Sequence, residues 1–186
     1  MPPYVSKLMI LRREFIRYAG FIAGAATGMW ARFATADTAT SRSVSFVHTH
    51  TGEKLTAQYW KDGEYQPDVL QQVNHVLRDF RTNEVHAIDP ALLDVLFELR
   101  TKVGSERAFH VISAYRSPKT NEMLRRSSDG VAEHSMHMLG KAIDIRLESF
   151  PTDRLAEVAR SLRRGGVGYY HASDFVHVDT GRVRYW

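Results

Sequence analysis

Two stretches of the chain set metal-type donors at regular intervals. The first is Ser135-Met-His137-Met-Leu-Gly140-Lys-Ala142-Ile-Asp144, and the second is Phe175-Val-His177-Val-Asp179. If 142–147 is extended, Ile143, Ile145 and Leu147 share one face, and Asp144 points the other way with Ala142 and Arg146. If 175–179 is extended, Val176 and Val178 share one face, and His177 and Asp179 take the other. Two neighbouring strands of this kind bury aliphatics on one side and bring Asp144 and His177 together on the other. Gly140 permits a tight turn that carries His137 to the same spot. Two imidazoles and one carboxylate are the donor set of a catalytic zinc, with a fourth position left for water. Such a water has its pKa lowered toward about 7, and a neighbouring carbonyl is polarised. Each residue also has a plainer reading, as a hydrogen-bonded strand histidine or a paired aspartate, and His-x6-Asp is not a general metal signature.

The elements that must position these residues are legible in outline. Ser43–His50 alternates, Thr51-Gly52 signals a turn, and Leu55, Ala57 and Tyr59 alternate again, which predicts a β-hairpin. Pro67 opens a helix with Val69, Val73, Val76 and Phe80 at helical spacing. Asp89-Pro90 caps a second helix whose Leu92, Val95, Leu96, Leu99 and Val103 follow the same period. A strand is expected over 109–114, and Ser117-Pro118 starts a polar helix to about Ser127. Residues 128–139 carry no period and read as a loop. A strand over 140–147 and a helix through Leu155, Val158, Ala159 and Leu162 follow, the helix stopping at Gly165-Gly166. Val167–Tyr170 and Phe175–Asp179 are two more strands. The expected architecture is α+β: helices on one face of a small, mostly antiparallel sheet.

Composition removes several classes. With no cysteine in 186 residues, there is no disulfide framework, thiol nucleophile or Cys-type zinc site. The net charge of +4 lies wholly in residues 1–36, which hold five Lys and Arg against Glu14; the remainder is balanced and holds all nine histidines. A neutral body has no field to steer a phosphate backbone, so nucleic acid is not an expected partner. Residues 1–18 are polar and basic, 19–31 small and apolar, and Ala34-Thr35-Ala36 is an A-x-A pattern. That is the layout of an export signal, too short to span a bilayer comfortably. Arg12-Arg13 with Phe15, Ile16 and Arg17 resembles a twin-arginine signal. The expected division is an export signal over 1–36, read by the twin-arginine machinery, a linker over 37–42, and a domain over 43–186 working in the periplasm. No membrane span is expected in the mature form.

The pattern S-x-H-x-x-G-x-A-x-D followed by a late H-x-D resembles the zinc D-Ala-D-Ala carboxypeptidase-like metallopeptidases, the group whose fold the hedgehog signalling domain shares. Ser113-Ala-Tyr-Arg116-Ser, Gly165-Gly-Val-Gly-Tyr-Tyr170, Phe175–Gly181 and Arg184-Tyr-Trp186 are similar to the murein endopeptidase branch of that family. The resemblance covers most of 12–186. It implies that His137, Asp144 and His177 are zinc ligands and that Arg116 meets substrate or a developing oxyanion. It implies hydrolysis in peptidoglycan stem peptides, notably of cross-links joining two diaminopimelate residues. Carboxypeptidase action on the same stems, and a non-catalytic module stapled by zinc, are the alternatives. The general base is open. Some branches use a glutamate three residues before the last histidine; here Asp174 stands there, and in a regular strand it faces away from His177. Asp179, on the face of His177, is the expected base or orienting partner. His134 and His171 are further candidates. Tyr169 and Tyr170 are strand residues, one facing the core and the other, taken as Tyr170, facing substrate.

Overall fold

The structure, a computed structural model, describes residues 40–127 and 131–186. The export signal expected over 1–36 lies outside the described residues. Among them are eight strands and four α-helices. The strands are β1 (Ser41–His48), β2 (Lys54–Lys61), β3 (Glu64–Tyr65), β4 (Phe109–Ser113), β5 (Ala142–Leu147), β6 (Gly166–Tyr170), β7 (Phe175–Asp179) and β8 (Arg184–Tyr185). The helices are α1 (Pro67–Val76), α2 (Pro90–Val103), α3 (Pro118–Ser127) and α4 (Thr152–Leu162). No helix among the described residues is long and apolar enough to cross a membrane.

All eight strands join one sheet in the order β3-β2-β1-β4-β5-β7-β6-β8. Its pairings are antiparallel except β1 with β4 and β6 with β8. The sheet is larger than the sequence suggests, because β3 and β8 have two residues each and so carry no period to read. The aliphatic faces of β5 and β7 go where alternation put them. Ile143, Ile145, Val176 and Val178 are buried in one core with Leu155, Ala156 and Ala159 of α4.

α2 shows how local signals fix an element. Asp89 accepts the N–H of Ala91, Pro90 holds the first turn, and Gly104 closes the helix in the left-handed region. Leu92, Leu93, Leu96 and Leu99 then fill the core at helical spacing. α1 stops at Val76, four residues short of Phe80, because the chain beyond it is held by a distant partner. Asp79 is buried and accepts from the backbone N–H and hydroxyl of Ser117, at 2.9 and 2.7 Å, and from the N–H of Arg81. The strand β1 begins at Ser41, so part of the expected linker belongs to the sheet.

Asp79 has a measurable consequence. Burial alone would raise its pKa, but hydrogen bonds from Thr120 and Ser117 outweigh that and hold the carboxyl at about 2. A group depressed in the folded state stabilises above its unfolded pKa, and that contribution is lost as pH falls from about 4 toward 2. Asp79→Asn is expected to cost about 2 kcal/mol at pH 6. The gap from the parent protein should close toward pH 2 in urea unfolding. A gap of the same size at both pH values would show that the charge of Asp79 contributes nothing.

Candidate metal centre

β5 and β7 are neighbours, and Asp144 stands directly opposite His177 in their register. Directly opposed residues on an antiparallel pair share a face, so the two side chains meet. His137 comes from a short 3-10 helix over Met136–Leu139, inside the segment whose sequence shows no period. Ser135 starts this turn by accepting the N–H of His137, and Gly140 ends it at φ 65°. The turn is then clamped. The carbonyl of Gly140 accepts from the N–H of Asp89 at 3.0 Å, and that of Lys141 from the N–H of Thr180 at 3.0 Å. Thr180 closes the loop by donating its hydroxyl to Asp89 at 2.9 Å. A Cβ on Gly140 would stand 2.1 Å from the carbonyl oxygen of Ala87, so a larger residue there would push the turn off its seat.

Hydrogen bonds settle which way each imidazole faces. His137 Nδ1 donates to the carbonyl of Ala114 at 2.6 Å, which leaves Nε2 as a lone pair. His177 Nε2 donates to Asp179 Oδ2 at 3.0 Å, which aims Nδ1 at Asp144. Three donor atoms then converge. His137 Nε2 to His177 Nδ1 is 3.1 Å, His177 Nδ1 to Asp144 Oδ1 is 2.9 Å, and His137 Nε2 to Asp144 Oδ1 is 3.3 Å. A tetrahedral zinc with ligands at about 2.0–2.1 Å spaces them by about 3.3 Å. The three residues are all buried, and their donor atoms lie close enough together to hold one metal ion. Burial would raise the Asp144 carboxyl, but His137, His177 and Arg116 outweigh it and hold it far below the usual range. Burial keeps His137 neutral. Burial would also lower His177, but its bonds to Asp144 and Asp179 raise it instead. The donor set therefore fits a divalent metal, with second partners that fix both rings.

The remaining candidates fall in different places. Arg116 donates to Asp144 Oδ2 through Nη2 and to Ser113 Oγ through Nε at 2.9 Å, so it braces the carboxylate as well as lining the cleft above it. Asp179 lies beyond the His177 ring. It is wholly buried and accepts from the N–H groups of Gly166 and Gly181 and from both Nη atoms of Arg184. Burial opposes its charge, but His177 and Arg184 hold it well below the usual carboxylate range. Of the two roles expected for Asp179, that place suits the orienting partner, since a proton acceptor there would have to reach past the ring it holds. Asp174 lies outside β7, at φ 50° just before it, so the strand phase does not apply to it; it accepts from Thr152 Oγ1 at 2.6 Å beside a neighbouring depression. His171 pairs with Tyr169 at 3.1 Å outside the cleft lining.

The cleft is about 480 Å³ and opens onto all three donor residues. His134 lines it, is exposed, and has no hydrogen-bond partner among the described residues. Tyr170 also lines it. Sequence reasoning did not single out Phe175 or Trp186 as lining residues, nor Arg184 as the clamp on Asp179. Their only signal was membership of the resembling segments.

Two imidazoles and a carboxylate thus come together in an open cleft, as a group that could hold a metal ion. The family model described as "Peptidoglycan L,D-endopeptidase MepK" matches residues 36–186. The chain belongs to that family, within the M15 metallopeptidases. It is 39% identical over 175 residues to "Peptidoglycan L,D-endopeptidase MepK" of Escherichia coli strain K12, covering 94% of this chain and 96% of that protein. It is likewise 39% identical over 176 residues to "Probable peptidoglycan L,D-endopeptidase MepK" of Haemophilus influenzae strain Rd, covering 94% and 95%. No solved structure matches the chain.

Proposed function

We propose that this protein is a zinc-dependent peptidoglycan endopeptidase that hydrolyses stem-peptide cross-links, of the 3-3 kind between two diaminopimelate residues, in remodelling of the cell wall. The observation that carries this is the convergence of His137 Nε2, His177 Nδ1 and Asp144 Oδ1 at the floor of an open cleft. Family membership supplies the substrate class. A purely structural zinc has no need of a cleft opening onto its ligands, which favours catalysis over a stapled binding module. We also assign the sheet to the hedgehog and D-Ala-D-Ala-peptidase type, on the placement of donors on β5, β7 and the turn before β5.

Zinc held by His137, Asp144 and His177 would polarise the scissile carbonyl and acidify the attacking water. The residues around it have separable tasks. Asp179, itself clamped by Arg184, holds His177 with Nδ1 forward. Arg116 steadies Asp144 and offers its remaining edge to substrate or to the oxygen that becomes anionic. His134 accepts the proton of the attacking water at a ring nitrogen and returns it to the leaving amine. Work on the wall fits export to the periplasm, and we assign that export to the twin-arginine-type signal over 1–36.

The test is digestion of cross-linked sacculi by purified protein, with muropeptides followed by mass spectrometry. Monomeric muropeptides should appear, vanish with chelator and return with zinc. Cross-links that survive the zinc-loaded protein, while the chelator unfolds it, would establish the staple instead.

A further inference from the structure

The cleft lining has two characters. Arg116, His134 and Ser135 make part of it polar, while Tyr170, Phe175 and Trp186 make another part aromatic. Phe175 and Tyr170 stack with centroids 4.6 Å apart. Trp186 donates its indole N–H to the Tyr170 hydroxyl at 3.0 Å and tilts over His177 with centroids 5.3 Å apart. That bond uses the only polar atom of the indole; the Arg184 guanidinium lies 5.0 Å from the indole centroid and the Tyr170 hydroxyl stays polar, so the ring faces and edges between them are the carbon surface on offer. Tyr170 and Trp186 stay 36% and 47% exposed, an unusual outlay of large rings next to a polar centre. The arrangement is also built in: a Cβ on Gly168 would stand 2.5 Å from the indole, so β6 seats the ring only because that residue is glycine.

An aromatic patch touching a ligand imidazole selects for saturated hydrocarbon next to the scissile bond. The D-alanine of a stem offers one methyl. A diaminopimelate residue offers a chain of three methylenes. Each methylene removed from water strengthens binding by about fourfold when fully buried. A chain resting one-sidedly on the rings should gain about tenfold in all.

We propose that Tyr170, Phe175 and Trp186 form the subsite for the methylene chain of the cross-linking diamino acid, and that Trp186 sets the preference for that chain over D-alanine. This rests on the peptidoglycan reading above. The probes are two stem tripeptides, L-Ala-γ-D-Glu followed by meso-diaminopimelate or by D-Ala, titrated calorimetrically into the zinc-loaded full chain.

The diaminopimelate peptide should bind about tenfold tighter. Trp186→Ala should abolish that ratio, and Trp186→Phe should keep most of it. Zinc content is measured on the same samples, and the ratio itself is a readout that a merely structural ring would not move. Should Trp186→Ala fail to fold, Phe175→Leu carries the same expectation of a reduced ratio. A preference that persists in the folded variants, or an equal weakening of both peptides, would overturn the subsite. Binding of neither peptide to the parent protein would overturn the peptidoglycan reading along with it, whereas binding without preference would overturn the subsite alone.

Discussion

His177→Ala is expected to lower kcat/KM on cross-linked muropeptide dimers by at least about ten-thousandfold, with zinc content falling in parallel. Two losses add. The variant lacks one of three donors, and it removes the ring that keeps Asp144 and Asp179 apart. His177 faces Asp144 with Nδ1 at 2.9 Å and donates from Nε2 to Asp179 at 3.0 Å. Without it, two buried carboxylates face a gap with only Arg116 and Arg184 to balance them. Circular dichroism should show the fold retained at neutral pH, because the aliphatic sides of β5 and β7 are untouched. Unchanged turnover with unchanged zinc would mean that the metal sits elsewhere.

His134→Gln is expected to behave differently. General acid–base transfer contributes about a hundredfold to ten-thousandfold, so kcat should fall within that range. Zinc content should stay at parent levels, because His134 touches none of the three donors. Zinc content separates the two cases: it should fall with His177→Ala and hold with His134→Gln. Turnover within about threefold of the parent would remove His134 from proton transfer. Attention would then pass to a water chain, since Asp174 and His171 lie outside the cleft and Asp179 lies beyond the His177 ring.

The parts of this site that sequence could show are those governed by the strand period. Ile143 and Ile145 against Asp144, and Val176 and Val178 against His177, fix which side each donor takes, and nothing tertiary is needed to see it. Adjacency of β5 and β7 was an assumption that the register then met residue for residue. His137 was harder. It lies in an aperiodic segment, and only Gly140 hinted at the turn that delivers it. The bonds that seat that turn come from Asp89 and Thr180, which lie far apart along the chain. The same distance hid the end of α1, where Asp79 bonds to Ser117 and overrides a helical period that runs on to Phe80. Roles within the site were less legible than membership. Asp179 shares a strand face with His177, which is as true of a base as of an orienting partner. Only the ring nitrogen it binds, and the two arginine bonds it accepts, tell them apart. Arg116 was expected at substrate, but its first bond is to Asp144.

Diffraction from crystals grown with zinc, recorded across the zinc absorption edge, tests the metal centre most directly. A single anomalous peak is expected at about 2.0–2.1 Å from His137 Nε2, His177 Nδ1 and Asp144 Oδ1 together. A peak seated on other residues, or none in protein that still cleaves cross-links, would contradict it.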